Sequence, residues 1–248
     1  MGDFKTELTR AWQISRLAGI SFRYHCLRVI GTAMDPVGGT KDQKAAQGLG
    51  RALTKYMRLD VEVVGAEKLD GLANYVLLPN HSSYIDWALI LGHFPTPPRF
   101  VAQNGISRVP VVGSYLRARG VLIDRRRGVE ARRAIAEALE MDCRWPLLIF
   151  PEGTRSKDGE IKAFKRAGIT LVAESGRPMV PMTLVGTWET FAPTARVIDR
   201  GRRVKMIIHD PIDPTVLGSE AAVLEVERVI RESYAAHRPS ILGPAHSA

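Results

Sequence analysis

Two stretches of the chain gather side chains able to move a proton and to hold an anion. The first is Asn80-His81-Ser82-Ser83-Tyr84-Ile85-Asp86-Trp87, which follows the apolar run Tyr75-Val76-Leu77-Leu78. Imidazole is the side chain whose ordinary proton affinity suits base chemistry near neutral pH. On one continuous helix, residues five apart point about 140° away from each other, so His81 and Asp86 would not touch. Contact requires His81 in a strand-to-helix turn, with Ser82 or Ser83 capping the helix and Asp86 reaching back from its early turns. The carboxylate then holds Nδ1–H, and Nε2 is left to accept a proton. The positive end of the helix dipole disfavours the imidazolium and helps keep the base neutral. A loop histidine beside an unrelated capping aspartate has the same spacing.

The second stretch is Phe150-Pro151-Glu152-Gly153-Thr154-Arg155-Ser156, after the apolar run Leu147-Leu148-Ile149. It displays a carboxylate, a glycine, a hydroxyl and a guanidinium at a strand end, where α/β sheets bind ligands. The arginine fork suits a phosphate or carboxylate, and Gly153 lets a substrate approach the backbone. A surface turn with Glu152 paired to Arg155 is the competing reading. Two weaker segments share the strand-then-loop form: Gly120-Val121-Leu122-Ile123-Asp124-Arg125, and the apolar strand Val180-Pro181-Met182-Thr183-Leu184.

The elements that must position these residues follow from the apolar pattern. Strand signals at 61–64, 75–78, 99–102, 121–123, 147–150, 179–184 and 204–208 alternate with helical signals at 84–93, 129–142, 164–175 and 215–236. Alternation of this kind predicts an α/β fold, with a mixed, mainly parallel sheet flanked by helices. An N-terminal helical segment precedes it, with helices over 4–33 and 41–58 and a break at Asp35-Pro36-Val37-Gly38-Gly39. The expected division is 1–58 for this segment and 59–248 for the α/β domain. In the first helix Phe4, Leu8 and Trp12 form one stripe, while Leu17, Ile20, Tyr24 and Leu27 drift to another face. Such a helix buries more than one side, against its own domain or in a lipid interface with Arg16, Arg23 and Arg28 among headgroups. The last residues, Pro244 to Ala248, read as frayed.

The 248 residues carry a formal net charge of +9, with 45% hydrophobic and 25% charged residues. That excess points to an anionic partner such as nucleic acid, an anionic membrane surface or a phosphorylated substrate. No nucleic-acid-binding module accompanies it. Cys26 and Cys143 stand far apart and form no disulfide framework. No stretch offers the roughly 20 apolar residues that a membrane span needs. Walker A, G-x-S-x-G and G-x-G-x-x-G signatures are missing, as is any Cys/His cluster of zinc spacing. His25, His93, His209, His237 and His246 have no chemical context and read as structural or solvated.

Taken together and in this order, the four segments resemble the glycerolipid acyltransferases, best known from the 1-acylglycerol-3-phosphate acyltransferases. Asn80, His81, Ser83 and Asp86 match N-H-x-S-x-x-D. Ile123, Asp124 and Arg125 match I-D-R, with Pro110, Gly113 and Gly120 upstream, and Phe150 to Ser156 match F-P-E-G-T-R-S at every position. The proline strand around Pro181 is the fourth block. The resemblance spans roughly residues 60–212. One departure lies at Gln103 and Asn104, where relatives often carry two lysines.

The resemblance implies transfer of a fatty acyl group from acyl-CoA or acyl-ACP to the free hydroxyl of a lysophospholipid, foremost 1-acylglycerol-3-phosphate, giving phosphatidic acid. It makes His81 the base, oriented by Asp86, and assigns headgroup binding to Arg125, Glu152, Gly153, Thr154 and Arg155, with Pro181 in the acyl pocket. No metal and no cofactor beyond the thioester co-substrate is implied. The place of action would be an anionic membrane surface, met peripherally from the cytoplasmic side. Two alternatives stay open: a lyso-aminolipid acceptor such as lyso-ornithine lipid, which Gln103 and Asn104 would suit, and an inactive membrane-binding relative.

Overall fold

The computed structural model describes residues 2–34, 40–109, 112–141 and 145–241. The expected break at 35–39, Pro110, Cys143 and the tail from Pro244 lie outside the described residues, as do the side chains of Phe4 and Arg28. Two helices lead, α1 (Gly2–Met34) and α2 (Thr40–Tyr56). There follow β1 (Asp60–Val64), β2 (Val76–Pro79), α3 (Asp86–His93), β3 (Arg99–Gln103), α4 (Val112–Arg119), β4 (Val121–Ile123) and α5 (Gly128–Glu140). The remainder is β5 (Leu147–Leu148), α6 (Arg166–Glu174), β6 (Met179–Val185), α7 (Thr187–Phe191), β7 (Arg203–Ile208), α8 (Pro214–Leu217) and α9 (Ser219–Ile241).

The seven strands form one sheet in the order β1-β7-β6-β2-β5-β3-β4. The β6–β7 pairing is antiparallel and the other strand pairings are parallel. Strands β2 and β6 are buried along their whole length because helices cover both faces, which is why they read as unbroken apolar runs. Val76 and Leu78 pack on one face with α5, α6 and α9. Leu77 packs on the other with α3 and α4.

The sequence pattern missed α4 and α7, both too short to show a helical period. The terminal helix expected over 215–236 is split at Gly218, whose φ of +87° no helix can continue through. Strand β5 pairs over two residues only, against the four expected, because the chain turns toward the Pro151 loop.

Helix α1 settles its ambiguous pattern by using two faces. Gln13 is buried and exchanges hydrogen bonds with the backbone of Ile198, from Nε2 to O (3.1 Å) and from N to Oε1 (2.9 Å). Leu17, Ile20 and Tyr24 continue that stripe onto a cluster with Leu49, Leu53 and Ile85. The opposite face leaves Leu8, Ile14, Phe22, Val29 and Ile30 each more than half exposed or close to it.

Candidate active site

The site sits where β2 and β5, neighbours in the sheet, release the chain at their C-terminal ends. His81 lies in the turn after β2 and Asp86 opens α3. His81 Nδ1 is 2.7 Å from Asp86 Oδ2. The same oxygen accepts the backbone N–H groups of Ser82 and Ser83, each at 2.8 Å, so the carboxylate is fully buried and locked. With Nδ1–H donating to the carboxylate, Nε2 is the free acceptor. The stripped imidazole stacks on Phe150, ring centroids 3.8 Å apart.

The serines do not cap α3 as the spacing suggested. Ser83 Oγ donates to Phe191 O (2.7 Å) and accepts from Ile85 N, while Ser82 Oγ bonds Thr187 Oγ1. They tie the histidine turn to α7 instead. Asn80 does the same for β6: its side chain bonds both N and O of Leu184.

Burial is the main force on His81 and lowers its pKa. Asp86 opposes this, and Arg155 and Arg125 add to it. The imidazole therefore stays neutral to lower pH than a free histidine does, which suits a base.

Arg155 is aimed by two contacts. Its Nε donates to Ser83 O (3.2 Å), and its guanidinium lies 4.5 Å above the Tyr84 ring. Arg125 lines the cavity that His81 and Arg155 share, and its pKa is lowered by desolvation and then by Arg155. Two neighbouring guanidiniums have the charge and the donors to bind an anion together. Gly153 (φ +66°) lines the same space, and a Cβ there would strike the Lys165 side chain at 2.8 Å.

His81, Arg125, Gly153, Arg155 and Lys165 open on a cavity of about 640 Å³. Its inner wall is apolar, with Ile106, Val112, Leu116, Ile123 and Ile135 among the lining side chains. Tyr24 and His25 of α1 also line it, His25 with Nδ1 3.1 Å from Ser114 Oγ. His25 had no chemical context in the sequence, because its place in the wall depends on how α1 docks.

Three assigned residues are placed elsewhere. Glu152 points inward and is 1% exposed. Its Oε1 accepts from His81 N (2.6 Å) and its Oε2 from Lys162 N (2.9 Å), so both oxygens serve the backbone and Glu152 does not line the cavity described above. Burial pushes its pKa up to about 7 against the pull of those two N–H donors. Thr154 is exposed and does not line the cavity. Pro181 lies buried in β6 opposite Leu78, inside the sheet and away from the cavity wall. Its carbonyl accepts from His209 N (3.0 Å) on the β7 side, one pair beyond Met182–Ile208, so the ring withholds only the reciprocal bond at the end of that ladder. The apolar wall of the cavity comes from α4, α5 and the segment after β3.

The sequence signature of the family described as Acyltransferase matches residues 60–185, which hold both catalytic-type turns and most of the sheet. The chain belongs to the acyltransferase family. A 1-acyl-sn-glycerol-3-phosphate acyltransferase of Brassica napus chloroplasts is 34% identical over 192 residues, covering 75% of this chain and 54% of that protein. One from Borreliella burgdorferi is 27% identical, covering 70% of each. The chain thus spans about half the length of the plant relative. Among solved structures, the 1-acyl-sn-glycerophosphate (LPA) acyltransferase PlsC from Thermotoga maritima superposes with a TM-score of 0.75 at 27% identity, covering 94% of this chain and 96% of that one. The acyltransferase fold therefore extends over the N-terminal helices as well as the residues that the family signature covers.

Proposed function

We propose that this acyltransferase moves a fatty acyl group from a CoA or acyl carrier protein thioester to the free hydroxyl of 1-acylglycerol-3-phosphate, giving phosphatidic acid. The observation that carries this reading is the buried His81–Asp86 pair at one end of an apolar cavity, beside two guanidiniums. His81 Nε2 takes the hydroxyl proton as that oxygen attacks the thioester carbonyl. The tetrahedral intermediate collapses, the C–S bond breaks, and the thiolate leaves with the proton returned by His81. The relatives described above are acyltransferases for this same acceptor by name, which supports the reading.

Arg125 and Arg155, with Lys165 at the mouth, bring positive charge to the headgroup space although Gln103 and Asn104 bring none. This favours a phosphate over the headgroup of a lyso-aminolipid. A direct comparison of lysophosphatidic acid with lyso-ornithine lipid as acceptor decides between them, and turnover of the second alone would overturn the reading. Arg155→Ala should raise KM for lysophosphatidic acid about tenfold, the value of one charge-assisted contact, and leave KM for the thioester unchanged. A change confined to the thioester KM would move Arg155 to the donor side.

The lipid acceptor places the protein at a bilayer. No helix among the described residues is long and apolar enough to cross one. The outer face of α1 supports peripheral contact on the cytoplasmic side, where the thioester donors are met. It presents Leu8, Ile14 and Phe22 with exposed Lys5, Arg10, Arg16 and Arg23. Each basic residue near an anionic surface adds about 1 kcal/mol, and salt screens it. Deleting α1 is a poor test, since Tyr24 and His25 wall the cavity. Replacing Leu8, Ile14 and Phe22 by Glu leaves the inner stripe intact. That triple variant should lose at least tenfold in binding to anionic liposomes, consistent with about 1.5–3 kcal/mol per buried apolar side chain, at unchanged Tm. A folded variant binding as tightly as the parent would sink the proposal.

A further inference from the structure

The loop that follows Arg155 is held from a distance. Arg231 of α9 donates from Nη1 to Ile161 O (2.8 Å) and from Nη2 to Lys162 O (3.0 Å). Glu227, one turn back on α9, accepts from its Nε and Nη2 and fixes the fork. Tyr234 Oη reaches the same loop at Gly159 O (2.7 Å). Lys162, clamped at its carbonyl, works in the other direction through two groups. Its N–H holds Glu152 Oε2 (2.9 Å), and its Nζ holds Arg155 O (2.8 Å). The other Glu152 oxygen takes the His81 N–H, and His81 O accepts from Ser156 N (2.9 Å).

We propose that Arg231 is a positioning residue for catalysis: through Lys162 and Glu152 it fixes the backbone at His81, and through Lys162 and Arg155 it fixes the headgroup arginine. Arg231 does not line the cavity, so it meets neither substrate. Its two carbonyl bonds set the direction of the Lys162 peptide, and that direction decides whether Glu152 has one N–H donor or two. A buried carboxylate with one partner is left partly unsatisfied, and it must move or take up a proton. Either event displaces the His81 N–H that Oε1 accepts.

The inference rests on the acyl-transfer reading for its kinetic arm and has a second arm that does not. The groups facing Glu152 are His81 from the turn after β2, Asp86 from α3, and Lys162 from its own loop. The His81 amide proton, donated to Glu152 Oε1, reports the ionisation of that carboxylate in an NMR titration of the full chain. Its midpoint in the parent lies near the Glu152 pKa of about 7. In Arg231→Met, Glu152 loses a donor that lowers its pKa, so the midpoint moves up. Arg231→Lys, keeping the charge and a single donor, should fall between. With lysophosphatidic acid, Arg231→Met should lower kcat about tenfold, the cost of a small misplacement of the base. That kcat loss should vanish when Glu152→Gln is already present, because the route from Arg231 to the base runs through Glu152, whereas the route through Arg155 shows in KM for the acceptor. A wild-type midpoint in both Arg231 variants, or a kcat loss of equal size with and without Glu152→Gln, would overturn the proposal. If the parent acylates no lysophosphatidic acid, the functional reading fails and the amide titration alone decides the role of Arg231.

Discussion

Alanine at position 81 is expected to lower kcat by about 10²–10⁴-fold, the range that general-base help supplies, while the protein melts as the parent does. The variant loses the proton acceptor, one ring stack and one of the three donors to Asp86 Oδ2, and the backbone N–H groups of Ser82 and Ser83 still hold that carboxylate. Steady-state kinetics beside a thermal melt checks both halves, and a parent-like kcat would refute the mechanism. Asp86→Asn should cost less. Oδ2 receives three donors and Oδ1 has no hydrogen-bond partner among the described residues, so an asparagine oxygen can take the crowded position and preserve the tautomer. Its amide group then occupies the orphan position.

The pH dependence separates the two charged neighbours by sign. Asp86 raises the His81 pKa and Arg155 lowers it. The acid limb of kcat, which marks protonation of the base, should therefore move to lower pH in Asp86→Asn and to higher pH in Arg155→Ala. Both profiles shifting the same way would mean that the limb belongs to another group.

Gly50→Ala is expected to be among the most destabilising single-methyl changes in the chain. A Cβ at Gly50 would lie 2.3 Å from Gly92 N and 2.6 Å from Ala88 O. These are backbone atoms of α3 and cannot swing aside, so α2 and α3 must separate. Separation would also break the Arg51 Nε bond to Gly92 O (2.9 Å) and the Thr54–His93 contact. Overpacking of this kind costs about 3 kcal/mol or more, which in a chain of this size lowers Tm by roughly 6–12 °C. Gly19→Ala is the control, since a Cβ there meets nothing within 4 Å, and a helical Gly→Ala change gains about 0.5–1 kcal/mol. Equal melting points for the two variants would show that the crossing of α2 and α3 is looser than it looks here.

Much of this site was legible because its chemistry is local in sequence. His81 and Asp86 are five residues apart, and a strand before and helix after are enough to bring them together. The strands were legible for a related reason: helices cover both sheet faces, so β2 and β6 are apolar throughout. What stayed hidden depends on long-range docking. Glu152 looks like a ligand in a polar turn, and only the fold shows that its oxygens are taken by backbone from residues 81 and 162. Pro181 was given to the acyl pocket by the block it occupies, although strand burial points it into the sheet. Lys162, Arg231 and His25 carry no signal at all in one sequence, because each acts through a partner at least seven positions away.

The order of strands in the sheet differs from their order in the chain, and this bears on how the protein is made. Strand β5 sits between β2 and β3 yet is synthesised after both. Until Leu147 and Leu148 emerge, the facing edges of β2 and β3 have no partner, and two apolar strands stand open to wrong pairing. Insertion of a two-residue strand closes that gap and delivers Phe150, Glu152 and Arg155 to His81 in the same movement. A growing chain thus contains His81 and Asp86 before it contains the loop that carries Arg155, and the other edge of β2 waits longer still, for β6.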